Sequence, residues 1–364
     1  MASNVRFSYA SVLDSDDEGS NQSDWGDDSS TLAKRFSAID LVGGATWQKE
    51  KMCIICKKRP RYNQRGKSYE TCGYTCAGVL EELLGVLCVI CDTRPVFKAG
   101  YVTCGLSCLE RLCREGGDPA MCTYCHRNTR IQGRRTCGEE CRSKAIAACL
   151  LCKSRPRHSR FHFCGRTCKR IALKDAPLIL EAMKGHQSYE IGARRFRTSW
   201  KANSITPPLP RKIYKYICSE ESLSRYDRYL KSVGNQRFCY HGTKIKCGLG
   251  KTTSQPCKST ECPACNILKF SFKVSEAKVT GAFGKGIYTS SSSNKAYRQY
   301  CGLGGALLVC KVALGKVKTV NRFKEVTGCP PGYNSVVFDR YNGKLNETVV
   351  YNDDAIRPIF LIVF

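Results

Sequence analysis

Four groups of four cysteines follow one another along the chain, and they constrain its fold more than any other feature. Each group reads Cys-x2-Cys, then 11 to 15 residues, then Cys-Gly-x2-Cys, and successive groups begin 35, 34 and 27 residues apart. Repetition at such a period is typical of an array of small structural units. The sixteen residues are Cys53, Cys56, Cys72, Cys76, Cys88, Cys91, Cys104, Cys108, Cys122, Cys125, Cys137, Cys141, Cys149, Cys152, Cys164 and Cys168.

The spacing within each group predicts a structural zinc site. A Cys-x2-Cys turn brings two thiolates to one side of a tight knuckle, and a second pair completes a tetrahedron with Zn–S bonds of about 2.3 Å. In the second pair, positions i and i+4 lie on one face of a starting helix. Each unit is therefore predicted as a knuckle, a short hairpin and a helix, which is treble-clef-like. Over these few residues each unit resembles the FCS- and MYM-type zinc fingers.

The total of 26 cysteines in 364 residues bears on the cellular compartment. The chain begins without the apolar segment of a signal peptide. Apolar runs such as 83–90 are far shorter than the roughly 18 residues of a membrane span. Without secretion, thiols stay reduced and bind metal rather than pair as disulfides. We therefore expect an intracellular protein with no membrane contact, and the basic array at 51–175 favours the nucleus over the cytoplasm.

Charge is distributed unevenly around a formal net value of +28. Residues 1–50 hold 9 acidic and 4 basic side chains and predict an acidic disordered tail. The array at 51–175 holds 25 basic and 10 acidic side chains, with aromatic residues between them. Such a surface suits nucleic acid, because basic side chains contact phosphates and aromatic rings stack on unpaired bases. Contact with another protein remains the alternative.

The rest of the chain predicts an α+β domain. Residues 176–212 read as a linker with a docking helix, and residues 213–364 as a separate domain. Apolar runs at 306–312, 347–351 and 356–364 predict strands, and 221–231 predicts a helix. Four further cysteines inside this domain predict a fifth zinc site, which would order a polar loop. They are Cys247, Cys257, Cys262 and Cys265.

Three ordered motifs in this domain resemble the catalytic domain of the poly(ADP-ribose) polymerase family. They are Tyr-His-Gly-Thr at 240–243, Gly-Ala-Phe-Gly-Lys-Gly-Ile-Tyr-Thr-Ser at 281–290 and Asn-Glu-Thr-Val-Val-Tyr at 346–351. Residues 330–336 and 355–364 fit the same pattern. The short linker segments at 176–181 and 185–186 resemble those of the fungal members of this family. The resemblance implies an ADP-ribosyltransferase-like split β-sheet and NAD⁺ as a substrate.

The resemblance also assigns roles to individual residues. His241, Tyr288 and Glu347 fill the family's triad: His241 bonds the adenine-side ribose, Tyr288 stacks on nicotinamide, and Glu347 serves the reacting ribose. A fixed carboxylate can stabilise the positive, oxocarbenium-like ribose that forms when nicotinamide leaves. Gly242 would hold the carboxamide through its backbone. The remaining predicted NAD⁺ contacts are Thr243, Lys295, Tyr297 and Tyr300.

One departure from the family pattern leaves the second stacking tyrosine open. Gln299 stands where the family has tyrosine, so that either Tyr300, after a one-residue insertion, or Tyr297 would supply the second aromatic face. Ala296 also lacks a hydroxyl that often bonds the carboxamide. The sequence therefore predicts a transferase that moves ADP-ribose from NAD⁺ to protein or nucleic-acid acceptors. The alternative is a non-enzymatic zinc-finger adaptor that only binds NAD⁺ or ADP-ribose, with an RNA 2′-phosphotransferase a distant third.

Overall fold

The computed structural model describes residues 52–64, 66–84, 86–302, 304–341 and 343–364. The predicted acidic tail at 1–50 lies outside these residues. The described part is a mixed α+β structure with eight α-helices, two large sheets and one two-stranded hairpin. The predicted α+β class is thus confirmed, and no described helix is both long and apolar enough to cross a bilayer.

The described chain divides into two compact units. One contains the residues up to Arg142 together with Cys152–Cys168, and the other contains Ser143–Leu151 and Lys169–Phe364. The segment predicted as a linker and docking element, 176–212, contains both a helix and a strand that belongs to the larger sheet. The predicted domain boundaries at residues 50, 175 and 212 stay predictions.

A helix follows each of the first four knuckles. Each helix begins between the two cysteines of the second pair, because a helical start places positions i and i+4 on one face. The helices are α1 (Tyr74–Leu84), α2 (Leu106–Glu115), α3 (Glu139–Ile146) and α4 (Arg166–Lys174). The first module also has a hairpin of β1 (Asn63–Gln64) and β2 (Lys67–Ser68).

The knuckles repeat one backbone conformation. In the first module the N–H of Cys53 donates to the carbonyl of Arg59 at 2.9 Å, and the N–H of Lys57 donates to the carbonyl of Cys53 at 3.0 Å. The residue after the second cysteine of each Cys-x2-Cys pair has a positive φ, in the left-handed region. Residues other than glycine rarely adopt this region, so a tight turn must hold them there. These residues are Lys57, Asp92, His126 and Lys153, with φ between 51° and 56°.

The second unit contains the two large sheets. In the five-stranded sheet all neighbouring strands are antiparallel, in the order β3 (Leu178–Ala182), β4 (Lys212–Ile217), β11 (Ile356–Val363), β7 (Ala306–Ala313) and β5 (Gln236–Thr243). The four-stranded sheet has the order β6 (Ile287–Thr289), β10 (Glu347–Val350), β9 (Ser335–Phe338) and β8 (Val317–Val320). Within the smaller sheet β8 and β9 are parallel.

A single backbone bridge joins the edges of the two sheets. Tyr240 in β5 donates its N–H to the carbonyl of Ser290 at 2.7 Å and accepts the N–H of Ser290 at 2.9 Å. Ser290 directly follows β6, which is an edge strand of the smaller sheet. The bridge therefore holds the C-terminal half of β5 beside the end of β6. The predicted site residues of β5 and β6 are therefore brought close together.

Both faces of the larger sheet are covered, which explains its continuous apolar strands. Every residue of β7 is buried. Because side chains alternate along a strand, Leu308 packs with residues of α6 (Glu220–Val233) and α7 (Pro263–Phe270), whereas Leu307 packs with Phe196 of α5 (Gln187–Thr198). The predicted strands at 306–312, 347–351 and 356–364 are confirmed, as is the predicted helix at 221–231.

Candidate metal centres and active site

Five clusters of four thiols have the geometry of tetrahedral metal sites. They are the five quartets predicted above, and within each cluster the sulfur atoms lie within 4.8 Å of one another. Sulfur–sulfur distances include 3.6 Å for Cys104–Cys108, 3.8 Å for Cys125–Cys137 and 3.5 Å for Cys164–Cys168. A tetrahedron with Zn–S bonds of about 2.3 Å has edges of about 3.8 Å. The clusters are consistent with about five zinc ions.

Hydrogen bonds lower the pKa of some of these thiols and so favour the thiolate form. Burial opposes ionisation of Cys53, but N–H groups of the knuckle outweigh it and lower the pKa of Cys53 to about 6. The Thr93 hydroxyl and neighbouring N–H groups lower the pKa of Cys91 to about 6. The contact with Cys56, together with burial, raises the pKa of Cys72 to about 12. Four adjacent thiolates repel one another, and a divalent cation removes that repulsion.

The fifth cluster holds the start of a helix in the second unit. Cys247 and Cys265 have their sulfurs 3.6 Å apart, and the N–H groups of Lys246 and Cys257 donate to the sulfurs of Cys262 and Cys265 at 3.3 Å. Cys262 directly precedes α7 and Cys265 lies in its first turn. A metal at this cluster would therefore fix the position and direction of α7.

A cleft of about 1080 Å³ lies against α7, larger than most small-molecule sites. Four of the residues predicted from the family resemblance line it, namely His241, Tyr288, Tyr300 and Glu347. The opposite lining comes from α7 and the loop after it, including Asn266, Ile267, Phe270 and Phe272. The structure thus brings together residues that are as much as 106 positions apart in the chain.

His241 lies near the end of β5 as a neutral imidazole. Its Nδ1 is 2.8 Å from the carbonyl oxygen of Tyr288, and a carbonyl can only accept, so Nδ1 carries the proton and donates. The ring meets Phe272 edge-on at 5.0 Å between centroids. Burial lowers the pKa of His241, while the carbonyl bond opposes that shift. The second ring nitrogen, Nε2, is therefore an acceptor at neutral pH.

Tyr288 is fixed by the turn that precedes β6. Its hydroxyl accepts the N–H of Phe283 at 2.8 Å and donates to the carbonyl of Gly284 at 2.9 Å. A Cβ at Gly281 would collide with this hydroxyl, so only glycine fits there. Burial raises the pKa of Tyr288, which keeps the phenol neutral. The ring therefore stands in one orientation at the edge of the cleft.

Glu347 is held by two side chains at the start of β10. The Lys295 Nζ lies 2.5 Å from its Oε1, and the Tyr300 hydroxyl donates to the same oxygen at 3.3 Å. The Lys295 side chain is 1% exposed and the Glu347 side chain 11%. Burial lowers the pKa of Lys295, and Glu347 opposes this shift. The carboxylate thus has a fixed orientation beside a buried lysine.

The structure separates the two candidate tyrosines. Helix α8 (Ser293–Ala296) continues into a π-helical turn, Tyr297–Cys301, which accommodates one extra residue per turn. Tyr300 lines the cleft, whereas the Tyr297 ring packs edge-on against Phe364 at 4.7 Å. The expected tyrosine position, Gln299, is exposed. The π turn contains one residue more than an α-helical turn, as the predicted one-residue insertion before Tyr300 requires.

The remaining predicted contacts lie outside the cleft lining. Gly242, Thr243 and Lys295 are buried, and a Cβ at Gly242 would collide with the Ala296 carbonyl oxygen. Gly242 is thus required for the close packing of β5 on α8. Lys295 reaches the site only through its ion pair with Glu347.

Sequence reasoning missed the wall formed by α7. Ile267 and Phe270 lie three residues apart on this helix, a spacing that signals one common face. Asn266 also lines the cleft, and its Nδ2 donates to the Thr260 carbonyl at 2.5 Å. Its Oδ1 is buried and has no hydrogen-bond partner in the described part of the chain. None of the known protein-family models matches the chain.

Proposed function

We propose that this protein is an NAD⁺-dependent ADP-ribosyltransferase of the poly(ADP-ribose) polymerase type. The observation that carries the proposal is the Glu347 carboxylate, held by Lys295 and Tyr300 in the same cleft as His241 and Tyr288. Burial of a carboxylate costs free energy unless the carboxylate is paired. If the pair of Glu347 and Lys295 served stability alone, Glu347 would not need to line a large cleft. Its placement supports a role in charge stabilisation.

The proposed reaction is a glycosyl transfer at C1′ of the nicotinamide ribose. The bond between C1′ and the nicotinamide nitrogen breaks, and its electron pair leaves with neutral nicotinamide. Glu347 stabilises the positive ribose and accepts a hydrogen bond from its 2′-hydroxyl. A nucleophilic oxygen, nitrogen or sulfur of the acceptor forms the new bond to C1′ and releases its proton to solvent. The acceptors proposed here are proteins or nucleic acids.

The surrounding side chains bind and orient. Neutral His241 offers Nε2 to a ribose hydroxyl, since its Nδ1 proton is engaged by the Tyr288 carbonyl. Tyr288 and Tyr300 are the two tyrosine rings that line the cleft, and aromatic faces suit a nicotinamide ring. Lys295 is a positioning residue, because it contacts Glu347 and not the cleft. The zinc-finger array would bring this unit to its targets.

Labelled NAD⁺ tests the proposal directly. Purified zinc-loaded protein should transfer label to itself or to added acceptors and release nicotinamide. Glu347→Gln keeps the shape of the side chain but removes its charge, so the rate should fall by about 100-fold or more. Glu220→Gln, at the exposed start of α6, is the matched control and should transfer at the wild-type rate. Equal rates for Glu347→Gln and wild type would contradict the proposal.

Gln299 and Ala296 favour a second candidate, in which the domain binds NAD⁺ or ADP-ribose without catalysis. Both residues depart from the family pattern at positions near the nicotinamide. Calorimetry separates the two functions, because an adaptor would bind NAD⁺ tightly while nicotinamide release stayed absent. Wild-type binding without turnover would therefore replace the transferase with the adaptor.

A further inference from the structure

Three exposed tyrosines distinguish the first cysteine module, residues 52–84. Tyr62 is 46% exposed, Tyr69 is 41% exposed and Tyr74 is 97% exposed. Large aromatic side chains normally contribute buried area to a small fold. These rings instead present much of their surface to solvent, so a ligand can reach them.

Tyr62 and Tyr69 form a pair across the hairpin of β1 and β2. The N–H of Tyr69 donates to the carbonyl of Tyr62 at 2.9 Å, which places the two residues opposite each other. Their ring centroids are 5.8 Å apart with an interplanar angle of 41°. A cross-strand pair of this kind contributes little to stability by itself. The two rings are therefore held side by side on the hairpin, each with more than a third of its residue surface exposed.

Tyr74 occupies a position that the other modules fill with unrelated side chains. It directly follows the Cys-Gly pair at the start of α1, where the later modules have Leu106, Glu139 and Arg166. A position that accepts an aliphatic, an acidic and a basic residue has no structural need for an aromatic ring. The tyrosine in the first module is thus available for binding.

Basic residues closely precede Tyr62 in the sequence of this module. Lys57, Lys58 and Arg59 follow the knuckle and are exposed, and Arg61 directly precedes Tyr62. Four positive charges within five positions, with no acidic residue among them, can contact successive phosphates. Stacking rings beside a basic strip are the combination that binds single-stranded nucleic acid.

We propose that the first module binds single-stranded nucleic acid, with Tyr62, Tyr69 and Tyr74 stacking on bases and the 57–61 strip contacting phosphates. A duplex fits less well, because stacked bases inside a duplex hide their faces from the rings. Helix α1 also contains no lysine or arginine with which to enter a groove. The proposal is independent of the transferase, since it uses none of the cleft residues.

The positions that correspond to Tyr62 and Tyr69 in the second and third modules offer less to a nucleic-acid base. In the second module Phe97 and Tyr101 form the equivalent pair at 5.4 Å, but the Arg155 guanidinium lies 4.5 Å from the centre of the Tyr101 ring. The third module has Ile131 where the first has Tyr62. The stacking surface is therefore assigned to the first module rather than to every repeat.

Fluorescence anisotropy with the full-length, zinc-loaded protein tests the assignment. The probes are labelled single-stranded RNA and DNA of about 12 nucleotides, within the site size of single-strand binders, and a duplex of equal length. Tyr62→Ala/Tyr69→Ala and Tyr74→Leu should each weaken single-strand binding about fivefold or more. Lys57→Gln/Lys58→Gln should reduce the slope of log affinity against log salt by about 1.4.

Tyr341→Ala is the matched control, because Tyr341 is 70% exposed in the other unit. It should bind the probes like wild type, and all variants should hold the wild-type amount of zinc. Wild-type affinity in the Tyr62→Ala/Tyr69→Ala protein would overturn the proposal. Absence of single-strand binding in the wild type would also overturn it, in favour of a protein partner. Glu347→Gln should retain probe binding, which separates this proposal from that of catalysis.

Discussion

The cysteine modules and the two-sheet unit reach a folded state by different means. In the first module, Cys53 and Thr71 are the only buried residues among those whose burial is described. In the second unit, β7 alone has eight consecutive buried residues, covered on both faces. A module with so little buried surface depends on metal coordination, whereas the sheets depend on packing. Local sequence spacing therefore matters most in the first unit, and long-range strand pairing in the second.

Removal of zinc should produce the largest difference in stability between the two units. Structural zinc contributes on the order of 10 kcal/mol per site, so a chelator should unfold α1 and α2, while β7 and β11 keep their structure. Hydrogen exchange followed by mass spectrometry measures this, with fast exchange expected in the helices and continued protection in the strands. Zinc-loaded protein treated with chelator already saturated with zinc is the control. Equal loss of protection in β7 would contradict the comparison.

Truncation of a buried phenylalanine should lower the free energy of unfolding by a smaller amount, and this amount should still differ between the two units. Phe360 in β11 is 0% exposed, and Phe163 in the fourth module is 2% exposed. Phe360→Ala should cost about 3–5 kcal/mol, because a packed core leaves a cavity. Phe163→Ala should cost less than about 2 kcal/mol while zinc is bound. Hydrogen exchange in β11 and in residues 152–168 measures the two losses, and a larger loss for Phe163→Ala would count against the comparison.

The smallest expected effect is a pH dependence from His241. Burial lowers its pKa in the folded protein below the ordinary 6.5, so the unfolded chain binds the proton more tightly. The stability that this group contributes is complete above pH 6.5 and is lost as the pH falls towards the folded-state pKa. Urea unfolding at pH 7.5 and 6.0, in excess zinc, should show a smaller decrease for His241→Gln than for wild type. An identical decrease would show that His241 does not carry the effect.

Much of the first unit was predictable from sequence, because its determinants are local. The repeated spacing identified the first four clusters, and their helices begin at the second cysteine pairs as expected. In the second unit, apolar runs predicted β7, β10 and β11. The motifs also identified His241, Tyr288 and Glu347, which line one cleft. Their roles in catalysis stay predictions.

The remaining features depend on contacts between distant parts of the chain. The pairing of Lys295 with Glu347 joins residues 52 positions apart, and no local pattern signals it. Strand β3, which pairs with β4, lies inside a segment that reads as a linker. Sequence spacing left Tyr297 and Tyr300 as alternatives, because neither the π turn at Tyr297–Cys301 nor the contact of Tyr297 with the distant Phe364 has a local sequence signal.

The fifth cluster has a kinetic consequence for the proposed enzyme. Cys262 and Cys265 hold α7, and Ile267 and Phe270 of that helix line the cleft. A metal at this cluster would therefore support the cleft while taking no part in the proposed bond changes. A chelator would act as an inhibitor that excess NAD⁺ cannot overcome, because each molecule that loses this metal leaves the active population. The molecules that keep it would retain an unchanged KM.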